Sequence, residues 1–331
     1  MLEFLPKTQL QPFLREVFPG KTSPLKKLTG GLLNQNYTFT SEGERYVLKV
    51  FRPEVAREKF EEVRRVMEFA SQKGVPISPF LASCVIDDHI VVLDRFVTGE
   101  HPSHFKKTPA VIRSMGATLG KIHLALDQFK TNYPKKSSND LISWNKEAFL
   151  KEIQDVRRAA RRSKIVSSKD LEASLDVYQT IIEGSEDWDR EPFEKLPIKL
   201  CQGDYHTQNI LVHDDKVAVV LDWEKFGWQW RSFEVMRSII FNCRKNWKEL
   251  DWESIATYLK AYKRHVSLTE REKELCFEVG FRKTLFSLWI ENQYLKTGDA
   301  DLLDGMKRRV AILPWLAKHR EETAERIAKL L

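Results

Sequence analysis

The chain lacks any uncharged apolar run approaching the ~20 residues that a membrane span requires. Its first 18 residues carry charges throughout and have no apolar centre, so they do not read as a secretion signal. Four cysteines, Cys84, Cys201, Cys243 and Cys276, lie far apart, with no close pair at metal-ligand spacing. A disulfide scaffold is not expected at this length. No H-x-x-x-H is present, and neither is an internal repeat or a low-complexity linker. Together these absences point to a soluble, cytoplasmic protein with reduced thiols.

What remains is ordinary globular material. A length of 331 residues suffices for two lobes, each with its own core. Hydrophobic residues make up 42% and charged ones 31%. The net charge of +7 is small against 54 basic and 47 acidic side chains. No nucleic-acid-binding motif accompanies it, so a nucleic-acid partner is not expected. An anionic small ligand explains the basic bias equally well.

Residues 8–18 have Leu10, Phe13, Leu14 and Val17 at helical spacing, and Pro12 fits only in the first turn of such a helix. Residues 25–40 read as strand, Gly30-Gly31 turn, strand. Residues 45–51 read as a third strand, with Val47, Lys49 and Phe51 on one face and Tyr46, Leu48 and Val50 on the other. A lysine set centrally among apolar neighbours is costly to desolvate unless an anion meets it. The Gly-Gly turn lacks the full G-x-G-x-x-G pattern, and most such pairs are simple hairpin turns. Its place before the lysine strand suggests main-chain N–H groups presented to a phosphate.

Residues 55–73 form a strong helix candidate, closed by Gly74 and Pro76, with a stripe of Phe60, Val63, Met67 and Ala70. Among its acids Glu62, away from the helix end and beside the stripe, is the one expected to pair with Lys49; the bland alternative is a solvated glutamate. Two short strands follow, near residues 81–85 and 89–97. The main chain of Asp94, Arg95, Phe96 and Val97 is placed to meet an adenine edge, ahead of a junction at Thr98-Gly99. From Thr108 onward the pattern is helical. His123 in the first of these helices reads as structural. Arg157, Arg158, Arg161 and Arg162 read as a solvated basic strip. The boundaries expected are 1–97 for a nucleotide-binding lobe and 98–331 for a catalytic and acceptor-binding lobe.

The most informative stretch is CQGDYHTQNILVHDDKVAVVLDW, residues 201–223. It reads as loop, strand, tight turn, strand, acid. Asp204 and Asn209 have the D-x-x-x-x-N spacing of a kinase catalytic loop, and Asp222 ends an apolar strand where a metal-binding Asp would sit. Alone, the spacing is a weak signal that arises by chance in many chains. The ordered set of glycine turn, strand lysine, acidic helix, D-x-x-x-x-N, strand and D-W is far more specific. Asn209 and Asp222 offer hard oxygen ligands suited to Mg²⁺. A metalloenzyme built on Asp204, His206 and Asp222 is the rival at this point.

The segments LTGGLLNQNYTF, RYVLKVFRP, ASQKGVPISP, VVLDRFVTG, GATLGKIH, QGDYHTQNILV and AVVLDWEKFG span residues 28–227. They resemble the aminoglycoside phosphotransferase and choline kinase family, which has a protein-kinase-like fold. The resemblance implies an α+β, two-lobed architecture and ATP-dependent phosphorylation of a small-molecule hydroxyl, with Mg²⁺. It carries over Asp204 as catalytic base, Asn209 and Asp222 as metal ligands and Lys49 on the phosphates. Two positions depart from the family pattern: Gln202 stands where His is usual, and Glu234 where Asp is usual. Neither change removes a group that does chemistry. Candidate acceptor residues are Glu224, Trp223, Trp228 and Glu291, with Trp230, Asn292 and Tyr294 nearby. Core packing is the competing reading for the tryptophans. The acceptor class left open is amino sugar, choline-like amino alcohol or homoserine-like. Two other functions compete, a nucleotide-binding scaffold without turnover and a protein kinase. The absence of an A-P-E segment argues against the protein kinase.

Overall fold

The computed structural model describes residues 5–28, 34–142, 144–186 and 188–331. The first part is an antiparallel sheet of five strands: β1 (Lys26–Lys27), β2 (Gln35–Ser41), β3 (Glu44–Val50), β4 (Phe80–Ile86) and β5 (His89–Arg95). Their spatial order is β1-β2-β3-β5-β4. The alternation read in β3 is real: Tyr46, Leu48 and Val50 are buried, while Val47 and Lys49 are half-exposed. The buried set packs with Tyr37, Phe39, Val91 and Leu93 against helix α1 (Lys7–Val17) through Leu10, Phe13 and Leu14. Helix α2 (Arg57–Gln72) covers the other face through Phe60, against Phe51, Ile90 and Val92.

Two local expectations shift. Helix α1 begins at Lys7, so Pro12 lies in its interior rather than in the first turn. The α2 stripe is Phe60, Val63, Val66 and Ala70, with Met67 only partly buried.

The remainder is mainly helical, and the whole is an α+β, two-lobed protein-kinase-like fold. Helix α3 (Pro109–Leu126) starts on Pro109, with the Thr108 side chain accepting from Val111 N. Then come α4 (Ser138–Leu141), α5 (Lys146–Arg162), α6 (Ser168–Glu183) and α7 (Glu191–Glu194). Helices α8 (Arg231–Asn242), α9 (Trp252–Tyr262), α10 (Glu270–Glu274), α11 (Cys276–Leu285), α12 (Trp289–Thr297), α13 (Ala300–Val310), α14 (Leu313–Lys318) and α15 (Arg320–Leu330) complete it. Helix α3 lies tightly on α9, because Gly116 and Gly120 face the Tyr258 and Tyr262 carbonyls where a Cβ would collide. The expected basic strip is partly an inter-helix contact: Arg157 of α5 is bound by Glu172, Asp176 and Gln179 of α6. Arg158 and Arg161 remain largely exposed.

Two small ladders frame residues 201–230. Strand β6 (Ile198–Cys201) pairs with β9 (Gly227–Trp230), so Cys201 faces Gly227 and the 25 residues between them leave and return at one place. Inside that loop, β7 (Ile210–His213) and β8 (Lys216–Val220) form the expected hairpin. Its turn residues Asp214 and Asp215 both have positive φ, as a tight hairpin turn demands. A third pair, β10 (Arg244–Asn246) with β11 (Glu249–Leu250), follows α8. All four cysteines are free, and no described helix is long and apolar enough to cross a membrane.

Candidate active site

The loop after β6 is built around Gln202 and Gly203. Gln202 is fully buried. Its Oε1 accepts from Asp204 N at 2.7 Å, and its Nε2 donates to the Asp222 carbonyl at 2.6 Å. Gly203 has φ +89° and lies against the Lys225 main chain, where a Cβ would collide, so glycine is required there. Behind the loop, Glu234 of α8 accepts from the N–H groups of Gln202 and Gly203. The extra methylene of Glu over Asp therefore still reaches these backbone groups. His123 of α3 holds Glu234 at 2.8 Å and meets the Tyr262 hydroxyl at 2.8 Å with its other nitrogen, which bears out its structural reading.

Asp204 is buried at 6% exposure, yet three basic groups surround its carboxylate. Arg237 Nη2 lies 2.5 Å and His206 Nε2 3.3 Å from Oδ1, and Lys225 Nζ lies 3.0 Å from Oδ2. Burial pushes the carboxyl up. The charges of Arg237, His206 and Lys225, with the His206 hydrogen bond, outweigh that and hold it far below the ordinary carboxylate range. Oδ1 is buried, in close contact with Arg237 and His206.

The β7–β8 register sets Asn209 beside Asp222. Ile210 pairs with Val220, and Leu221 N donates to the Asn209 carbonyl at 2.8 Å. The Asn209 side chain donates to the Asp204 carbonyl at 3.0 Å. Asp222 has φ +52°, an uncommon conformation for a non-glycine residue. Burial raises its pKa, Lys49 lowers it, and Glu224 and Asp204 raise it further. Its Oδ1 is buried without a hydrogen-bond partner. A buried, orphaned carboxylate oxygen beside other acids and an amide is a donor set that fits a hard divalent cation.

Lys49 reaches this point from the sheet. Its Nζ lies 2.8 Å from Glu224 Oε1 and 3.9 Å from Asp222 Oδ1. Asn34, at the start of β2, donates to the same Glu224 oxygen at 2.5 Å and accepts from Arg52 N at 3.2 Å.

Several expected residues stand elsewhere. Glu62 does not pair with Lys49; it binds Arg65 at 2.6 Å and the Thr131 hydroxyl. Its face of α2 looks toward the segment after α3, because the Phe60–Val63–Val66 stripe takes the inward side. Gly30 and Gly31 lie outside the described residues. The main chain proposed to meet adenine is partly engaged within the sheet: Arg95 N donates to Pro79 O, Arg95 O accepts from Ser78, and Phe96 N donates to Arg45 O. Asp94 pairs with Val47. Val97 N has no partner among the described residues.

Trp223 is core: it is 2% exposed, with its indole N–H on the Val220 carbonyl. Trp230 packs against Trp144 and Phe193. Trp228 is only half-buried and donates to the Tyr133 carbonyl. Glu291 is fully buried between α6 and α12, accepting from the hydroxyls of Tyr178 at 3.0 Å and Ser174 at 3.3 Å. It cannot line an acceptor pocket. The side chains not foreseen are Arg237, Lys225 and Asn34. Arg237 sits three residues after Glu234, on the same face of α8, and that spacing was the available signal. Among the described residues, the group whose ligand atoms all lie within 4.8 Å of one another is His123, Cys201 and Glu234, not the Asp204–His206–Asp222 set.

The model of the phosphotransferase enzyme family matches residues 24–274. The chain belongs to that family. As a member it is an enzyme of the kinase class, acting on hydroxyl acceptors. No curated protein matches the sequence. Similar solved structures share the fold at low identity. A microcompartment-associated aminopropanol kinase aligns with TM-score 0.60 at 14% identity, over 96% of this chain and 98% of that one. A choline kinase from Cryptosporidium parvum Iowa II aligns with TM-score 0.57 at 14% identity, over 97% and 98%. An aminoglycoside phosphotransferase solved as a ternary complex with streptomycin and ATP aligns with TM-score 0.53 at 14% identity, over 94% and 100%.

Proposed function

We propose that this phosphotransferase moves the γ-phosphoryl group of ATP to a hydroxyl of a small molecule, using Asp204 as the acceptor-facing carboxylate. The observation that carries the reading is the convergence of three distant segments. Lys49 of the sheet, Asp222 after β8 and Asp204 after β6 belong to one network of contacts, with Lys49 against Asp222 and Gln202 tying Asp222 to Asp204.

In this reading Lys49 leaves Glu224 for the phosphates, and the hinge lies at Val97–Thr98, between a nucleotide-binding lobe of residues 1–97 and a catalytic lobe of residues 98–331. Val97 N is the main-chain donor left for the adenine edge. Asn209 and Asp222 would hold Mg²⁺, which when bound neutralises phosphate charge. Asp204 stays ionised at any working pH, because its cationic neighbours oppose protonation. It orients the acceptor O–H through its carboxylate, whose oxygens are in ion-pair contact with Arg237, His206 and Lys225. The acceptor oxygen then forms the new bond to the γ-phosphorus. The bond from that phosphorus to the β,γ-bridging oxygen breaks with its electrons leaving on ADP, and the hydroxyl proton passes by Asp204 to solvent. A loose transition state needs little help from a strong base, so a carboxylate of low basicity suffices for this role.

The test is ADP release from Mg-ATP over a panel of hydroxylated amines, amino acids and sugars. Acceptor-dependent release that disappears in Asp204→Ala supports the reading. Unchanged release in that variant overturns it.

A further inference from the structure

The groups around Asp204 bear on what the acceptor carries besides its hydroxyl. Lys225 and Arg237 both touch the Asp204 carboxylate, one on each oxygen. Lys225 is half-exposed, with 54% of its side chain open, and its Nζ also lies 5.7 Å from the ring centre of Trp289, an exposed indole at the start of α12. Arg237 is more enclosed, its guanidinium 4.9 Å from the Phe241 ring, and its Nη1 is buried with no hydrogen-bond partner. An unpaired guanidinium nitrogen is expensive to leave buried, and a planar anion is what satisfies it best.

Among the described residues, the acids nearest Asp204 belong to the metal and phosphate side of the site. Asp222 and Glu224 face Lys49, and Glu224 is further held by Asn34. The enclosed acids of α10, α11 and α12 are turned inward: Glu272 binds Arg231, Glu278 binds Arg282 and Arg320, and Glu291 is bound by Tyr178 and Ser174. The acids of α10, α11 and α12 present no carboxylate to an ammonium group, Glu224 keeps Asn34 as a partner when Lys49 moves to the phosphates, and Trp223 and Trp230 are too deep to form a cation-binding aromatic wall. A cationic acceptor approaching Asp204 would meet two like charges first.

We propose that the acceptor is an anionic hydroxy compound whose carboxylate is received by Lys225 and Arg237, with Trp289 as an apolar wall beside it. This rests on the reading of Asp204 as the acceptor-facing group. Binding of the carboxylate draws the two cations partly off Asp204, which frees Oδ1 and Oδ2 to take the hydroxyl.

The experiment measures phosphoryl transfer from Mg-ATP to matched pairs that differ in charge: 3-hydroxybutanoate against 1,3-butanediol, glycerate against glycerol, and L-homoserine against 3-amino-1-propanol. Product formation is followed directly, and ATP hydrolysis with water alone is recorded in parallel. The expected result is a kcat/KM at least about tenfold higher for the carboxylate member of a pair, the discrimination that about 1.4 kcal/mol gives. In Lys225→Gln that ratio falls severalfold, because KM rises more for the anionic member than for the neutral one. A merely structural role for Lys225 would move both members together and overturns the assignment. Transfer that favours the neutral or cationic member in every pair, or that reaches no carboxylate acceptor at all, also overturns it, even if the enzyme proves to be an active kinase. If the chain neither binds Mg-ATP nor consumes it with any acceptor or water, the kinase reading itself fails first.

Discussion

Gln202 and Asp222 are joined through the main chain: the Gln202 amide donates to the Asp222 carbonyl at 2.6 Å while its own oxygen takes the N–H of Asp204 at 2.7 Å. One side chain thus sets the spacing between the two carboxylates of the site. Gln202→Leu leaves a buried N–H and a buried C=O unpaired, at about 1–3 kcal/mol each. Thermal unfolding should show a midpoint lower by several degrees, and kcat should fall more than KM rises. Gln202→His, with a nitrogen for each partner, should retain most of the activity. If Gln202→Leu matches the parent protein in both measurements, the bridge has no role in positioning.

Asp204→Ala removes the group that orients the acceptor. The expected loss in kcat is about 10²–10⁴-fold, the usual range for a positioned acid–base residue. ATP affinity, measured by calorimetry, should hold within a factor of about three, since Asp204 is not assigned to the nucleotide. Loss of ATP binding in parallel with turnover would instead mean that the loop had collapsed.

Glu224 occupies Lys49 at 2.8 Å. If Lys49 must release it to hold phosphate, the two compete. Glu224→Gln weakens that competition and should tighten ATP binding in the absence of divalent metal by a few-fold, whereas Lys49→Met should weaken it. Weaker ATP binding in Glu224→Gln would show that the acid helps to hold the nucleotide complex rather than opposing it.

Burial is the main cause of the raised Glu291 pKa, with Arg309 and the hydroxyls of Tyr178 and Ser174 acting against it. A carboxyl whose pKa is higher folded than unfolded binds its proton more tightly in the native state. Its contribution to stability is therefore greatest below the ordinary carboxyl range and declines as pH rises through that range toward the folded pKa. Glu291→Gln cannot titrate. Relative to the parent, it should gain midpoint temperature between pH 4 and pH 8. A constant difference across that interval would mean that Glu291 keeps its ordinary pKa.

Much of the architecture was legible because it is local. The alternation in β3 placed Lys49 opposite a buried face, since successive strand side chains point to opposite sides. The β7–β8 hairpin announced itself by two apolar runs around His213-Asp214-Asp215-Lys216, and its register brings Asn209 beside Asp222. The β6–β9 ladder was not legible. Its two strands are four residues each and pair across 25 intervening residues, a contact that only closure of the whole loop makes favourable.

By itself the sequence determined the fold class, the family and the spacing of Asp204, Asn209 and Asp222, because strand alternation, helix periodicity and loop motifs are written over a few consecutive residues. Tertiary structure decided the partners. Lys49 went to Glu224 rather than Glu62 because the apolar stripe of α2 fixed which way that helix is turned. Trp223 and Glu291 went into the core, and Arg237 came to Asp204 from a helix 33 residues downstream. Charge pairing and burial depend on which surfaces packing brings together, and no stretch of neighbouring residues records that.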